Sequence, residues 1–310
     1  MINTKIMLSV LTAVLAGSLT VAGRAEVAPN PDPTPASSPT VQAKADLGVY
    51  DPNQAFDSAA NIRYEQIWAD WSRDSAASVL VRLQAIAAKG RTPILSIDPY
   101  AISKIGKEKS LLGDVAAGKY DSVIRDYAAA VKGAGSRIIV RWGPEMERDI
   151  DKPWSHRPTA DYIAAYRHFV TTFRVVAPGT PMVWSPIGNK GCETYYPGDD
   201  YVDFVGFSIY EYPKCTTQWY GAPRSFADWM NEKYPPLAKF SKPVIIAELG
   251  VFDSPAQQSA WVTAAFSSLD QFPLVTTVVY YDAKDPVNWG KFVRGAIAPD
   301  WQMSPSAFTN

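Results

Sequence analysis

Apolar, strand-like runs alternate with amphipathic, helix-like segments through most of the chain, and this alternation restricts the possible folds more than any other feature. Strands that are separated by helices are connected in parallel, so eight of them predict a closed (β/α)8 TIM barrel in a single domain. A doubly wound open sheet is the alternative, but no glycine-rich phosphate loop follows the first run. The eight runs are Leu47–Tyr50, Tyr64–Trp68, Pro93–Asp98, Arg137–Trp142, Met182–Pro186, Val202–Tyr210, Pro243–Glu248 and Thr276–Asp282.

Helical patterns occupy most of the intervals between the runs. Their apolar positions recur at helical spacing, and a glycine or a proline follows four of them as a stop signal. The predicted helices are Ser75–Lys89, Asp121–Lys132, Thr159–Ala177, Phe226–Phe240 and Ala256–Phe272.

The first 45 residues do not share this alternation. Residues 1–25 combine Lys5 with a short apolar run and small residues before Ala25, which is typical of a signal peptide. An uncleaved membrane anchor is the alternative. Residues 26–45 contain a Pro/Ser-rich stretch that predicts an extended linker, so the barrel domain is expected at 46–310. We therefore expect a periplasmic or secreted protein without stable membrane association after cleavage.

Charge and aromatic content restrict the kind of partner. Thirty basic residues against 31 acidic ones give a formal charge of −1, without the basic excess that nucleic-acid binding requires. Aromatic residues make up 12% of the chain and provide flat faces on which sugar rings stack. We expect a monomer that binds a polysaccharide and no nucleic acid.

Polar and aromatic residues lie at the ends of the predicted strands, and two of them are glutamates. Glu145 follows the fourth strand and Glu248 ends the seventh. In a barrel these ends meet at one face, which predicts an acidic and aromatic cleft suited to a neutral, hydroxyl-rich substrate. The other residues expected to bind substrate there are Trp68, Asp98, Arg141, Trp184, Tyr210 and Tyr280.

Two carboxylates on opposite sides of a cleft are what glycoside hydrolysis requires, since one protonates the leaving oxygen and the other attacks carbon or activates water. Period-two alternation puts Arg141 on the same side of its strand as Glu145, where it could keep Glu248 ionised. Apolar neighbours such as Trp142 and Trp154 would raise the pKa of Glu145, as a proton donor needs. Either glutamate alone would more often be a structural ion-pair partner, whereas the pair favours catalysis.

The sequence Arg141-Trp142-Gly143-Pro144-Glu145-Met146, with Trp154 after it, resembles the acid/base motif of glycoside hydrolase family 26. Similar segments follow in order up to about Trp289, including Val183–Pro186, Tyr195–Gly206 and Ala247-Glu248. The resemblance implies a retaining β-glycanase without cofactors. It also implies that Glu145 is the acid/base, Glu248 the nucleophile, Tyr210 a hydrogen-bond partner of the nucleophile, and Trp154 and Tyr280 walls of the sugar site.

Two departures from the family pattern affect the expected substrate. Pro144 stands where the family has histidine and cannot donate a side-chain hydrogen bond, and Glu147-Arg148 replaces Asn-Gly. We therefore do not assign β-mannan, and a β-glucan or bacterial exopolysaccharide is at least as well supported. A barrel that binds glycan without cleaving it is the rival hypothesis.

The remaining candidate sites involve cysteine, histidine and serine. Cys192 and Cys215 follow adjacent strands, and in an exported protein we expect them to form a disulfide, with two free thiols as the alternative. Only two histidines occur, His156 and His168, and their positions do not support a metal site. The segment around Ser208 lacks the final glycine of a nucleophile elbow, which argues against serine hydrolase chemistry.

Overall fold

Eight parallel strands form a closed barrel in the computed structural model, which describes residues 45–148 and 152–308. Each strand pairs with its neighbours in sequence, and the first and last strands pair with each other to close the ring. The predicted fold class is confirmed. The strands are β1 (Asp46–Tyr50), β2 (Ile62–Asp70), β3 (Thr92–Asp98), β4 (Ile139–Trp142), β5 (Met182–Trp184), β6 (Phe204–Glu211), β7 (Val244–Val251) and β8 (Val275–Tyr281).

Helices lie between the strands, and the five predicted ones are all present. Two further helices were not predicted. The helix Leu111–Ala116 is too short to show a helical period, whereas Pro213–Tyr220 has a proline at its first position and a left-handed glycine, Gly221, as its C-cap. The helices are α1 (Ala76–Ala88), α2 (Leu111–Ala116), α3 (Asp121–Gly133), α4 (Thr159–Val176), α5 (Pro213–Tyr220), α6 (Phe226–Ala238) and α7 (Pro255–Ser267).

The two faces of β4 show how alternation divides the core. Trp142 points outward and stacks on Phe169 of α4 with ring centroids 5.1 Å apart. Arg141, its neighbour, is fully buried and ion-pairs with a strand across the barrel. An apolar cluster fills the barrel below Arg141, and burying each such aliphatic side chain contributes about 1.5–3 kcal/mol. Its members are Ile94, Ile139, Val183, Ile245, Ala247 and Val279.

Gly206 of β6 lies where no side chain fits. A Cβ atom at this position would lie 2.7 Å from the Ser185 hydroxyl and 2.9 Å from the Ser185 Cβ. These distances are shorter than any normal contact between such atoms, so the close approach of the residues after β5 to β6 requires glycine.

The predicted disulfide between Cys192 and Cys215 is wrong, because both thiols are free and buried. Cys192 packs into the large apolar core outside the strands. Cys215, on α5, packs in a separate cluster with Tyr212 and Trp301. Adjacent strand ends therefore do not bring the two sulfur atoms together, since each side chain turns into a different part of the core.

Reduction should consequently leave the stability of the protein unchanged. Burial raises the pKa of Cys192 to about 12 and that of Cys215 to about 11, so little reactive thiolate exists at neutral pH. We expect both thiols to react with a disulfide reagent only after unfolding, and the melting temperature to be the same with and without dithiothreitol. A lower melting temperature in reductant would contradict this expectation.

The predicted signal peptide and most of the predicted linker lie outside the described residues. The described part of the chain starts at Ala45, and β1 begins one residue later. Within the described ranges, none of the helices combines the length and the hydropathy needed to cross a bilayer.

Candidate active site

Glu248 lies at the mouth of the barrel because β7 carries an irregularity. Ser208 of β6 pairs with Glu248, whereas the preceding Phe207 pairs with Ile246, so Ala247 is an extra residue in β7. Ala247 packs inside the barrel and Glu248 also faces the cleft, although adjacent residues of a regular strand face opposite sides. The bulge thus turns the carboxylate into the cleft.

Three side chains hold the Glu248 carboxylate. The Tyr210 hydroxyl donates a hydrogen bond to Oε2 at 2.5 Å, and the Ser208 hydroxyl lies 3.4 Å from Oε1. Arg141 Nη1 forms an ion pair with Oε1 at 2.7 Å, as alternation along β4 predicted. These contacts fix the position and orientation of the carboxylate at the cleft, which is what a nucleophile needs.

Glu145 follows β4 in a left-handed backbone conformation, with φ of 58°. For a residue with a side chain this conformation costs about 1–3 kcal/mol, and the surrounding structure must impose it. Hydrogen bonds supply that restraint: the Glu145 N–H donates to the Ser185 carbonyl at 2.8 Å, and Trp154 Nε1 donates to the Pro144 carbonyl at 2.8 Å. The turn therefore fixes the direction of the Glu145 side chain.

The prediction of a raised pKa for Glu145 is wrong. Burial does favour the neutral acid, but the charges of Arg148, Lys152 and Arg141 outweigh burial and lower the pKa to about 2. Arg148 has the strongest effect of the three, with Nη1 2.7 Å from Glu145 Oε2. Arg148 is one of the three residues at which the chain departs from the family motif, so Glu145 has a partner that the motif does not provide.

Both glutamates face a cleft of about 760 Å³ at the C-terminal ends of the strands. Of the predicted substrate-binding residues, Trp68, Asp98 and Tyr210 line this cleft. Arg141 lies below it, fully buried, with its guanidinium 5.3 Å from the Trp68 ring centre. Arg141 thus acts on the site through Glu248 and Trp68 rather than as part of the cleft wall.

Trp154, Trp184 and Tyr280 do not line the cleft, so their prediction as substrate-binding residues is wrong. All three are fully buried. Trp184 points out of β5 and packs edge-on against Phe240, and Tyr280 points out of β8 and donates to the Trp301 carbonyl at 2.7 Å. Trp154 lies behind the cleft, where it supports the turn before Glu145.

Asp98 forms the acidic end of a small group at the β3 edge of the cleft. Its Oδ2 lies 3.5 Å from Lys152 Nζ, and the lysine also lies over the rings of Trp68 and Trp154. Burial raises the pKa of Asp98, although Lys152 opposes the rise. The buried Oδ1 atom has no hydrogen-bond partner among the described residues and could accept a hydrogen bond from a sugar hydroxyl.

Sequence analysis missed a second polar group, on the β5 edge of the cleft. Glu147 Oε1 accepts hydrogen bonds from the backbone N–H groups of Gly188 and Asn189 at 2.9 and 3.3 Å. Lys233 of α6 is 3% exposed, and burial lowers its pKa to about 8. The only sequence signal was the departure at Glu147, because Lys233 has no feature that distinguishes it from a surface lysine. No group of three or more metal-ligating side chains occurs in the part of the chain that the structure describes.

Solved structures of glycoside hydrolase family 26 proteins resemble the fold of this chain. An endo-β-1,4-mannanase from Cellulomonas fimi, described as a family 26 enzyme, superimposes with a TM-score of 0.61 at 15% identity, over 86% of this chain and 74% of the mannanase. A protein designated GH26C from Muricauda sp. gives a TM-score of 0.59 at 15% identity, over 78% of this chain and 79% of that protein. These structures share the fold.

Sequence comparison finds relatives among curated glycanases. Endoglucanase H of Acetivibrio thermocellus is 31% identical over 194 residues, which cover 57% of this chain and 21% of the relative. A β-1,3-xylanase of a Vibrio species is 28% identical over 164 residues, covering 49% of this chain and 34% of the relative. The chain thus matches only about a fifth to a third of these relatives' length. No protein-family model matches. The solved structures confirm the resemblance to family 26 in the fold, and the sequence relatives are glycanases by name.

Proposed function

We propose that the protein hydrolyses internal β-glycosidic bonds of a polysaccharide by double displacement, with Glu248 as nucleophile and Glu145 as acid/base. The observation that carries the proposal is the arrangement around Glu248, which accepts a hydrogen bond from Tyr210 and pairs with Arg141 at the wall of an aromatic cleft. The glycanase relatives and the family 26 structures support the same class of reaction.

In the first step Glu145 donates its proton to the leaving oxygen while a Glu248 oxygen attacks the anomeric carbon, which breaks the glycosidic bond and forms a glycosyl ester. In the second step the Glu145 carboxylate takes a proton from water, and the water oxygen displaces Glu248 from the same carbon. Both residues end in their starting states, and the product keeps its anomeric configuration.

The Arg148 ion pair sets a condition on the first step. A carboxyl with a pKa of about 2 holds no proton at neutral pH, so substrate binding must weaken the contact of Arg148 with Glu145 before the acid can act. A sugar oxygen between the two groups would have this effect, because it removes the charge-assisted hydrogen bond that favours the ionised acid. If substrate binding did not weaken the contact between Arg148 and Glu145, a barrel that binds glycan without cleaving it would explain the site better.

The proposal includes export of the protein, which the leader-like residues 1–25 support, and action as a monomer. The supported substrates are β-glucan, β-mannan and bacterial exopolysaccharide. Endoglucanase H and the mannanase structures point to the first two, by their names alone.

Release of reducing ends from β-glucan, β-mannan, xylans and bacterial exopolysaccharides tests the function. We expect release from at least one polymer by the wild-type protein and a loss of about a hundredfold or more in Glu145→Ala. Dinitrophenyl glycosides of the same sugar should lose much less activity in this variant, because their leaving group needs no proton. Equal losses on both kinds of substrate would exclude Glu145 as the acid. Tight binding to a polymer without release would favour the non-catalytic barrel.

A further inference from the structure

Large aromatic side chains are exposed along one edge of the cleft. Trp219, Tyr220 and Phe292 are 47%, 49% and 45% exposed, and all three line the cleft. The other large hydrophobic residues exposed in the described ranges are aliphatic and do not line it. With Trp289, these three residues form what we call the aromatic rim. Such a concentration of exposed aromatic surface is unfavourable in water unless a ligand covers it.

The aromatic rim is continuous with the nucleophile. Tyr210, which donates to Glu248, lies edge-on to Trp289 with ring centres 6.5 Å apart. Trp289 in turn lies 5.9 Å from Trp219, and its Nε1 donates to Asp285 at 3.0 Å, which fixes the indole. A row of rings therefore runs from the reacting carboxylate to the outer edge of the cleft.

Trp219 is the ring most available to a ligand. The Arg224 guanidinium lies 4.5 Å from the centre of the Tyr220 ring, and Lys291 Nζ lies 4.9 Å from that of Phe292, so each of these rings has a cation over one face. The one ring or cation contact that the structure shows for Trp219 is with Trp289. The position of Trp219 near the end of α5 also gives it a rigid support.

We infer that the aromatic rim is an outer subsite that binds a neutral, β-linked polysaccharide several sugars away from the bond that is cleaved. This inference rests on the proposed function and extends it, because it requires a long substrate whose chain continues past the nucleophile. The apolar faces of sugar rings would stack on Trp219 and Trp289. Asp285 beside Trp289 is balanced by Lys291 over Phe292, and Arg224 over Tyr220 is paired with Glu232. The charges beside the rings therefore cancel and do not select an ionised sugar.

Affinity electrophoresis of the full chain in native gels that contain barley β-glucan, galactomannan or soluble β-1,3-xylan tests the subsite. The isosteric Glu248→Gln background prevents turnover during the run. We expect Trp219→Ala to raise the dissociation constant for the polymer about tenfold, which is the effect of removing an aromatic anchor from an interface. Ile297→Ala is the matched control, since Ile297 is 56% exposed and does not line the cleft. It should bind as the background does.

The outcomes separate the subsite from the catalytic proposal. Equal retardation of Trp219→Ala and Ile297→Ala on every polymer would overturn the proposed subsite. The absence of retardation on any polymer would also overturn it. Stronger, Trp219-dependent binding to alginate than to the neutral polymers would overturn the neutral class. Concentration-dependent dimerisation that Trp219→Ala abolishes would assign the rim to a second copy of the chain instead. Trp219-dependent binding to a neutral polymer that the wild-type protein does not cleave would support the subsite and contradict the proposed hydrolysis.

Discussion

Replacement of Glu248 by alanine is expected to reduce turnover at least about a thousandfold, because the variant has no group that can attack the anomeric carbon. Added azide should restore release from dinitrophenyl glycosides, since the small anion fits the space of the lost carboxylate. The product should be a glycosyl azide of inverted configuration, because a single displacement replaces two. Proton NMR of the product measures this directly.

The stability of each variant must be measured beside its activity in this experiment. Glu248 is the ion-pair partner of the fully buried Arg141, and removing one member of a buried pair costs about 3–5 kcal/mol. The isosteric Glu248→Gln should be equally inactive, and the exposed Glu108→Ala should be fully active. An active, folded Glu248→Ala protein without azide would end the assignment of Glu248 as nucleophile.

Replacement of Arg148 by alanine should move the alkaline limb of the pH profile of kcat/KM to higher pH. The first step needs protonated Glu145, and the protonated fraction falls as the pH rises through the pKa of about 2. Removing an adjacent guanidinium raises a carboxyl pKa by about 1–3 units. At pH values above the alkaline limb, kcat/KM of Arg148→Ala should therefore be about 10- to 1,000-fold higher than that of the wild-type protein at the same pH.

Two variants make this measurement specific. Arg148→Lys keeps the positive charge and should shift the limb less than Arg148→Ala. Arg125→Ala removes a comparable ion pair, with Asp121 on α3, far from the cleft lining, and should leave the profile unchanged. An alkaline limb at the same pH in the wild-type protein and Arg148→Ala would show that the ion pair does not control the acid.

The sequence was sufficient for the barrel and for the central part of the site. Strand ends converge in any parallel barrel, so Glu145 and Glu248 could be assigned to one face without coordinates. Alternation also placed Arg141 beside Glu248. Applied to every strand, the same rule would have corrected two predictions, because Val183 and Val279 point inward and their neighbours Trp184 and Tyr280 must therefore point out.

Other features could not be predicted because they depend on side-chain contacts between distant segments. The ion pair of Arg148 with Glu145 and the burial of Lys233 follow from loop conformation and from the packing of α6, which have no periodic signal. The prediction of a disulfide was wrong for the same reason. Adjacent strands locate the cysteines only to within a loop, whereas a disulfide requires sulfur atoms about 2 Å apart.

The left-handed conformation of Glu145 also bears on how the chain would evolve. Glycine adopts this conformation without strain, so stability alone would favour glycine at position 145 by about 1 kcal/mol or more. A barrel that no longer cleaved its ligand would be free to accept that replacement. Under the proposed function, the need for a carboxyl group at position 145 outweighs this conformational cost.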